Sequence, residues 1–429
     1  LRHVTSYFST TVQYAAPLTF NQFIRAYDGR RRTLYQDAYD SLLVRPLTAK
    51  DAQLNYFVKI EKGKRDAVPR GINPRDPRYH VSLGPYIKRI EKIVYAMINQ
   101  LFGYTVVFKG LNAEQRGQLM YQHWCEFADP VAISLDASRF DQHTSDKALK
   151  WEHSIYQMFF PHDKRLKWLL KLQINNKGFA RCPDGFAKFK KKGGRMSGDM
   201  NTSLGNVLIM CCMVFAFLNK IPIKKHRLAN DGDDCVVILE RSDLDKFRRY
   251  LKPYFRNMGY NMTVEEPVYN IEQIDFCQCN PIWTPQGYLM VRNIHRALAK
   301  DCISIKPLDN VKVAKRWLAA VGEAGLSLTG GIPIWQDFYL KLYNTAGGAK
   351  PLKNDPTLNA GFFKYFSENM KRVHDSVHPR TRLSFYTATN IPPDAQIAFE
   401  NMYTKSLIDV KILSSIISPL VPDWLGYHT

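Results

Sequence analysis

A chain of 429 residues sets a prior of two or three lobes of about 150 residues each, and 45% hydrophobic with 13% aromatic residues is enough to bury a large core. Sixty Lys plus Arg against 39 Asp plus Glu leave a net charge of +21, which points to a polyanionic partner. Eight scattered cysteines, many in apolar runs, do not make a secreted disulfide framework, and a reducing, cytoplasmic setting fits them best. Cys277-x-Cys279 is a close pair. No second pair completes a zinc site, and its apolar neighbours predict a strand. The longest apolar run, Val207 to Leu218, has 12 residues, whereas a membrane-spanning helix needs about 20, so it reads as a buried helix. With no signal peptide and leucine first, the sequence reads as a portion of a longer polypeptide, in whose earlier part any membrane anchor would lie.

The first 55 residues read as helices, with "TLYQDAYDSLL" alternating at helical spacing. "NYFV" opens like a strand and runs into a Pro, Gly and Arg-rich loop, after which helices are expected to resume from Pro85 to Leu101. The short strand "VAISLDAS" ends in Asp136. Residues 145–172 look helical, and "GFAKFKKKGGR" reads as a basic hairpin. A Gly turn at Ser197 leads into the buried helix. "LANDGDDCVVILE" reads as two strands joined by a tight turn at Asp231 to Asp233. A helix from Ser242 to Met258 and a second hairpin, "IDFCQCNPIWTPQGYLMV", follow. Beyond Asn293 the pattern is helical and reads as a separate lobe.

Two strand ends therefore carry aspartates: Asp136, and Asp233 with Asp234. If those strands are sheet neighbours, the carboxylates converge and their repulsion demands cations. Mg2+ suits such a place, because it takes one or two carboxylates plus substrate phosphates. Two ions about 3.5 to 4 Å apart would stabilise both the attacking and the leaving oxygen of a phosphoryl displacement. "GDD" alone is weak, since roughly one chain in ten of this length carries it by chance, and an Asp-rich turn or a poor calcium loop explains it as well. Its order after "DASRFD" and "SGDMNTSLGN" is far more specific.

"DASRFDQH", "SGDMNTSLGN" and "GDD" resemble motifs A, B and C of the RNA-dependent RNA polymerases of positive-strand RNA viruses, most closely the tombusvirus-like group. "EKGKRDAVPR" resembles motif F and "IDFCQCNP" the motif E hairpin, so the likeness runs from about Lys59 to Pro281. It implies an α/β (α+β) right-hand polymerase fold, with an antiparallel palm sheet flanked by helices. Fingers would span 1–128 and 145–195, palm 129–144 and 196–292, and thumb 293–429. Asp136 and Asp233 would bind two Mg2+ ions, Mn2+ being a substitute, with Asp234 in a supporting or alternative ligand role. Asp141, Ser197, Thr202 and Asn206 resemble the group that reads the ribose 2′-hydroxyl, although Ser197 or Thr202 would equally cap a helix and Asn206 would equally be a satisfied helix residue. Lys59, Lys62 and Arg70 would face the triphosphate, while Lys64 and Arg65 lie in the same run and Lys64 reads equally as solvated. Lys188, Lys190, Lys191 and Gly198 would contact template RNA, with Phe189 either stacking on a base or buried.

The chain departs from the family at motif D. Glu265, Glu266 and Pro267 stand where a lysine proposed to protonate pyrophosphate is usual, so no general acid is assigned, and Lys252 is only nearby on a helix. The resemblance implies an RNA-directed RNA polymerase replicating a positive-strand viral genome from NTPs. Its partners would be single-stranded template RNA, nascent RNA, other viral replication proteins and host factors. It would work in the host cytoplasm in membrane-associated replication complexes, with membrane contact through a missing N-terminal part or a partner. Against a reverse transcriptase stand Asp141 and Asn206; against an RNA-binding factor with a degenerate polymerase fold stand the intact Asp136 and Asp233.

Overall fold

The computed structural model describes residues 1–61, 68–182, 185–305, 308, 310–352 and 369–411. Helices α1 (Arg2–Thr11), α2 (Phe20–Arg25) and α3 (Gly29–Val44) open the chain, followed by strands β1 (Leu54–Val58) and β2 (Gly71–Ile72). The long helix α4 (Pro77–Phe102) starts ahead of the expected Pro85. Asp76 caps it by accepting from the Arg78 amide at 2.8 Å, and Pro77 occupies the first turn, where no donor is needed. These start signals outweigh Pro85, which the helix carries inside it. Gly103, at φ 76°, ends it in the left-handed conformation.

Next come α5 (Ala113–Trp124), β3 (Pro130–Ala137), the single turn α6 (Phe140–His143), α7 (Asp146–Phe159) and α8 (Lys164–Lys171). Strands β4 (Asn175–Cys182) and β5 (Gly185–Lys192) form the expected basic hairpin. Unforeseen is its partner. β1 pairs in parallel with β4, Leu54 opposite Gly178, so the "NYFV" strand and the basic hairpin share one sheet of order β2-β1-β4-β5.

Helix α9 (Thr202–Leu218), β6 (His226–Asp231), β7 (Asp234–Glu240), α10 (Leu244–Asn257) and β8 (Met262–Val264) follow. The second sheet, in order β6-β7-β3-β8, is antiparallel throughout. Alternate residues of β3 and β7 enter two different cores. Val131, Ile133, Leu135, Val237 and Leu239 pack with α4, α7, α9 and α10, whereas Ala132, Val236 and Ile238 pack on the other side. Burial on both faces explains why "CVVILE" is continuously apolar rather than alternating. The 12-residue apolar run lies within α9 and is almost entirely buried, and no helix among the described residues is long and apolar enough to cross a membrane.

Strands β9 (Cys279–Thr284) and β10 (Gly287–Arg292) make a two-stranded sheet, and α11 (Ile294–Asp301), α12 (Val311–Thr329), α13 (Trp335–Thr345), α14 (Pro379–Thr389) and α15 (Pro393–Lys405) follow. These helices do not stand apart as expected. Trp317, Trp335 and Phe385 belong to the same core as Ala132, Val236 and Ile238 of the second sheet. The strand expected at Cys277 is also corrected: Cys277 and Gln278 hold positive φ in a turn, and β9 begins at Cys279.

His80 and His123 are buried and His226 is half-buried, and burial pushes each imidazole down from 6.5 to about 4. The unfolded chain takes up these protons near pH 6.5 and the folded chain only near 4, so their contribution is full above pH 6.5 and is lost as pH falls toward 4. Each is worth at most about 3 kcal/mol. Tm should therefore fall between pH 7 and pH 5, and less steeply in His123→Gln; a Tm flat across that window would refute the account.

Candidate active site at the edge of the second sheet

The β3–β7 ladder runs from Pro130 opposite Glu240 to Leu135 opposite Cys235, so its next step brings Asp136 alongside Asp234. Asp231 pairs with Asp234 across the β6–β7 hairpin, leaving Gly232 and Asp233 as a two-residue turn. Gly232 holds φ at 90°, which a side chain would resist. Buried Asn230 clamps the turn: its Oδ1 accepts from the Gly232 amide at 3.1 Å and its Nδ2 donates to the Gly232 carbonyl at 2.8 Å. The ladder and the clamp thus hold Asp136, Asp233 and Asp234 on one edge, all reached by solvent.

None of the three forms an ion pair among the described residues. Burial by the surrounding protein first, and the charges of Asp233, Asp231 and Asp136 second, push the Asp234 carboxyl up to about 7. Burial and Asp233 likewise raise Asp136. Solvent nevertheless touches both, so the direction of these shifts carries the meaning: Lys109 lowers Asp234 but does not outweigh burial and the neighbouring carboxylates, and negative charge here is not fully compensated. The donors are hard carboxylate oxygens, which fit a divalent cation. No three Asp, Glu, His or Cys side chains close into a metal cage among the described residues. An ion seated here would complete its shell with ligand or water oxygens, as Mg2+ typically does.

Asp231 is treated in the opposite way. Lys109 and buried Arg116 both bind it, Arg116 at 2.5 Å. Burial raises its carboxyl, but the two cations outweigh burial and hold it below the usual range. Lys109 is delivered by the segment before α5, which bonds β6 through Asn230 N to Val106 O at 2.9 Å and Phe108 N to Asn230 O at 2.9 Å. Nothing in the spacing of Lys109 and Arg116 marks them as partners of this turn.

Beside the edge, Asn206 Nδ2 donates to Asp141 Oδ1 at 3.0 Å, so two of the four expected ribose readers meet. Asn206 is held in turn by Arg195, whose Nε donates to Asn206 Oδ1 at 3.1 Å. Arg195 forms a two-pronged, fully buried pair with Glu152. Glu152 Oε1 also accepts from Asn201 Nδ2 at 2.7 Å and from the Tyr156 hydroxyl at 2.8 Å. The pair crosses α9 over Gly205, where an added Cβ would stand 2.3 Å from Arg195 Nη2 and 2.5 Å from Glu152 Oε1.

Ser197 and Thr202 do not join that hydrogen-bonded pair. The Thr202 hydroxyl donates to Met196 O at 2.7 Å and Ser197 Oγ to Gly71 O at 3.4 Å. The capping role considered for both falls to neither, since Asn201 is the N-cap of α9 and makes no side-chain cap bond. Gly198 lies against the Asn73–Pro74 backbone, where a Cβ would be 2.6 Å from Pro74 Cα. Next to it, buried Asp199 receives Arg75 at 2.5 Å, and Arg75 also donates to Asn176 at 2.7 Å and to Ala52 O at 2.6 Å. The motif B turn is thereby tied to β4 and to the turn that precedes β1.

The basic segments flank this centre. Lys59 and Arg70 share Glu61, at 2.7 and 3.6 Å, and Lys59 N donates to Arg70 O at 2.7 Å. Arg70 is near enough to Asp141 to counter the upward push of burial on that carboxyl. Lys62, Lys64 and Arg65 lie outside the described residues. On exposed β5, Lys188 sits 5.2 Å from the Phe186 ring centre, and Lys190 and Lys191 extend the same strand. Phe189 is half-buried and lies across Gly178. At the motif D position, the Glu265 amide donates to Ser134 O at 3.2 Å, and burial, Asp275 and Asp136 raise its carboxyl. Lys252 is exposed on α10.

The family model described as viral RNA dependent RNA polymerase matches residues 1–410. The chain belongs to that family. It is 46% identical over 391 residues to the RNA-directed RNA polymerase of Tobacco necrosis virus (strain A), covering 90% of this chain and 54% of that protein. It is 41% identical to that of Turnip crinkle virus, covering 90% and 50%, and 39% identical to that of Tomato bushy stunt virus (strain Cherry), covering 93% and 48%. The chain spans about half the length of these curated relatives.

In this polymerase-family chain the motifs name the carboxylates and Asn206, whereas no motif marks the residues that hold Asp231 and Asn206: Lys109, Arg116, Glu152, Asn201 and Arg195. A glycine inside an otherwise apolar helix, Gly205, is the one sequence signal that a close approach occurs there. Gly205→Ala should destabilise the fold by about 1 to 3 kcal/mol through overpacking, despite the gain of about 1 kcal/mol in helix propensity. Urea unfolding measures it, and a variant more stable than wild type would remove the close-packing argument.

Proposed function

We propose that this chain is the catalytic portion of an RNA-directed RNA polymerase that replicates a positive-strand viral RNA genome. The observation that carries the reading is the incompletely compensated Asp136, Asp233 and Asp234 edge with the Asp141–Asn206 pair beside it. In this reading the antiparallel second sheet is the palm, within 129–144 and 196–292. Residues 1–128 and 145–195 form the fingers and 293–429 the thumb.

The reaction is a nucleotidyl transfer. The 3′-hydroxyl oxygen of the growing RNA gives up its proton to water and forms a bond to the α-phosphorus of an NTP, the bond to the bridging oxygen breaks, and pyrophosphate leaves with its electron pair. Two Mg2+ ions, replaceable by Mn2+, would supply activation of the attacking oxygen and stabilisation of the leaving one. Asp136 and Asp233 would hold them, with Asp234 supporting. Asp141 and Asn206 orient the ribose, because a carboxylate accepts from and an amide donates to a 2′-hydroxyl that DNA precursors lack; Ser197 and Thr202 belong to the same reading by motif. Lys59, Lys62 and Arg70 offset triphosphate charge. Lys188, Lys190 and Lys191 contact template phosphates from exposed β5, and Gly198 belongs to the template contact by motif, its open side being filled by the Asn73–Pro74 backbone.

Template RNA, nascent RNA and NTPs are then the direct partners. Other viral replication proteins and host factors would complete a replicase on cytoplasmic membranes of the host, with membrane contact made elsewhere in the longer polypeptide or by a partner.

Incorporation of labelled NTPs on a short single-stranded RNA tests the reading. Asp233→Asn should lower synthesis about a hundredfold or more with RNA binding nearly unchanged, and chelation should stop wild-type synthesis until Mg2+ is restored. Equal activity of mutant and wild type, or synthesis that survives chelation, would sink the metal seat. Replacing Lys188, Lys190 and Lys191 together by alanine should reduce the slope of log K against log salt for single-stranded RNA by about 2. An unchanged slope would take template contact away from β5.

A further inference from the structure

The amide of Asn206 has nearly the same shape either way round, yet only one orientation offers a donor toward Asp141. Two neighbours decide between them. Arg195 is a donor without any acceptor, so the amide atom facing its Nε, 3.1 Å away, must be the oxygen. The carboxylate of Asp141, when ionised, only accepts, so the atom 3.0 Å from its Oδ1 must be the nitrogen. A flipped amide would set N–H against N–H on one side and oxygen against oxygen on the other.

Arg195 has no freedom to follow such a flip. It and Glu152 are buried, at 4% and 0% exposure, and both prongs of the guanidinium engage the carboxylate. Glu152 is fixed in turn by Asn201 and Tyr156, and Asn201 by Gln173, whose Nε2 donates to it at 2.8 Å. Glu152 lies on α7, outside both motifs whose residues it serves, and Gly205 leaves the space in which the pair lies over α9.

We propose that Arg195, braced by Glu152, is a positioning residue for sugar selection: it presets the Asn206 amide so that Asn206 and Asp141 together present one donor and one acceptor to a ribose 2′-hydroxyl. This rests on the ribose reading of Asp141 and Asn206 given above. Lysine at 195 keeps the positive charge but is a single point donor, unable to grip Glu152 with two prongs and Asn206 with a third.

The test is the ratio of Kd for CTP and 2′-deoxy-CTP, measured with Mg2+ on the chain bound to a short template–primer RNA. In Arg195→Lys the preference for CTP should fall about fivefold, the value of one hydrogen bond, through weaker CTP binding with the Kd for 2′-deoxy-CTP unchanged. Glu152→Gln, which keeps the side-chain volume, should move the ratio the same way and is the variant read if Arg195→Lys does not fold. A purely structural role would weaken both nucleotides equally and leave the ratio at its wild-type value, which would overturn the proposal. Asp141→Ala separates the two levels. If it abolishes the preference while Arg195→Lys and Glu152→Gln leave it intact, the positioning role falls and the ribose reading stands. If Asp141→Ala itself leaves the ratio unchanged, both fall.

Discussion

Backbone hydrogen bonds between β3 and β7 hold together side chains that repel one another. The ladder sets Asp136 next to the β6–β7 turn whatever its charge, and the carboxyls of Asp136 and Asp234 respond by holding their protons more tightly than usual. Such an arrangement survives because the sheet is anchored by two hydrophobic cores, one on each face. Net folding free energy is only about 5 to 15 kcal/mol, so charge repulsion at an edge is tolerable only where burial elsewhere is extensive. The repulsion that remains is what an arriving cation would relieve.

Within one four-residue stretch the chain then handles negative charge in two ways. Asp231, turned toward Lys109 and Arg116, is neutralised by protein and held in place. Asp233, two residues on, has no such partner among the described residues. Internal cations therefore reach the root of the turn and stop short of its tip. The distinction separates a carboxylate that supports the hairpin from carboxylates left available to a ligand.

Behind the site, two buried arginine–carboxylate pairs do a different kind of work. Arg75–Asp199 joins the loop before α4 to the motif B turn and to β4, and Arg195–Glu152 joins the segment before α9 to α7. Taking such ions out of water costs several kcal/mol each, and it is their full hydrogen bonding that makes the burial affordable. What they contribute is definition: segments far apart in sequence acquire one relative placement. The sugar-reading role proposed for Asp141 and Asn206 would need that, since a hydroxyl is distinguished from a hydrogen only by donors and acceptors in fixed positions.

Local chemistry made much of this legible beforehand. The strand ending at Asp136, the hairpin turn around Gly232, the buried helix α9, the basic hairpin and the β9–β10 hairpin all follow from apolar periodicity and turn residues acting within a few positions of one another. Pro85 is a strong local signal that places the start of α4 too late, while the Asp76 and Pro77 start signals lie upstream of it. Tertiary structure alone decided the rest: that β1 lies parallel to β4, that the C-terminal helices close the second core instead of standing apart, that Asp231 is paired while its neighbours are not, and that Arg195 and Glu152 lie behind Asn206. The physical reason is range. Turn and helix preferences are properties of adjacent residues, whereas the pairing of strands and the choice of partner for a buried charge are settled only when the whole chain competes for the same interior.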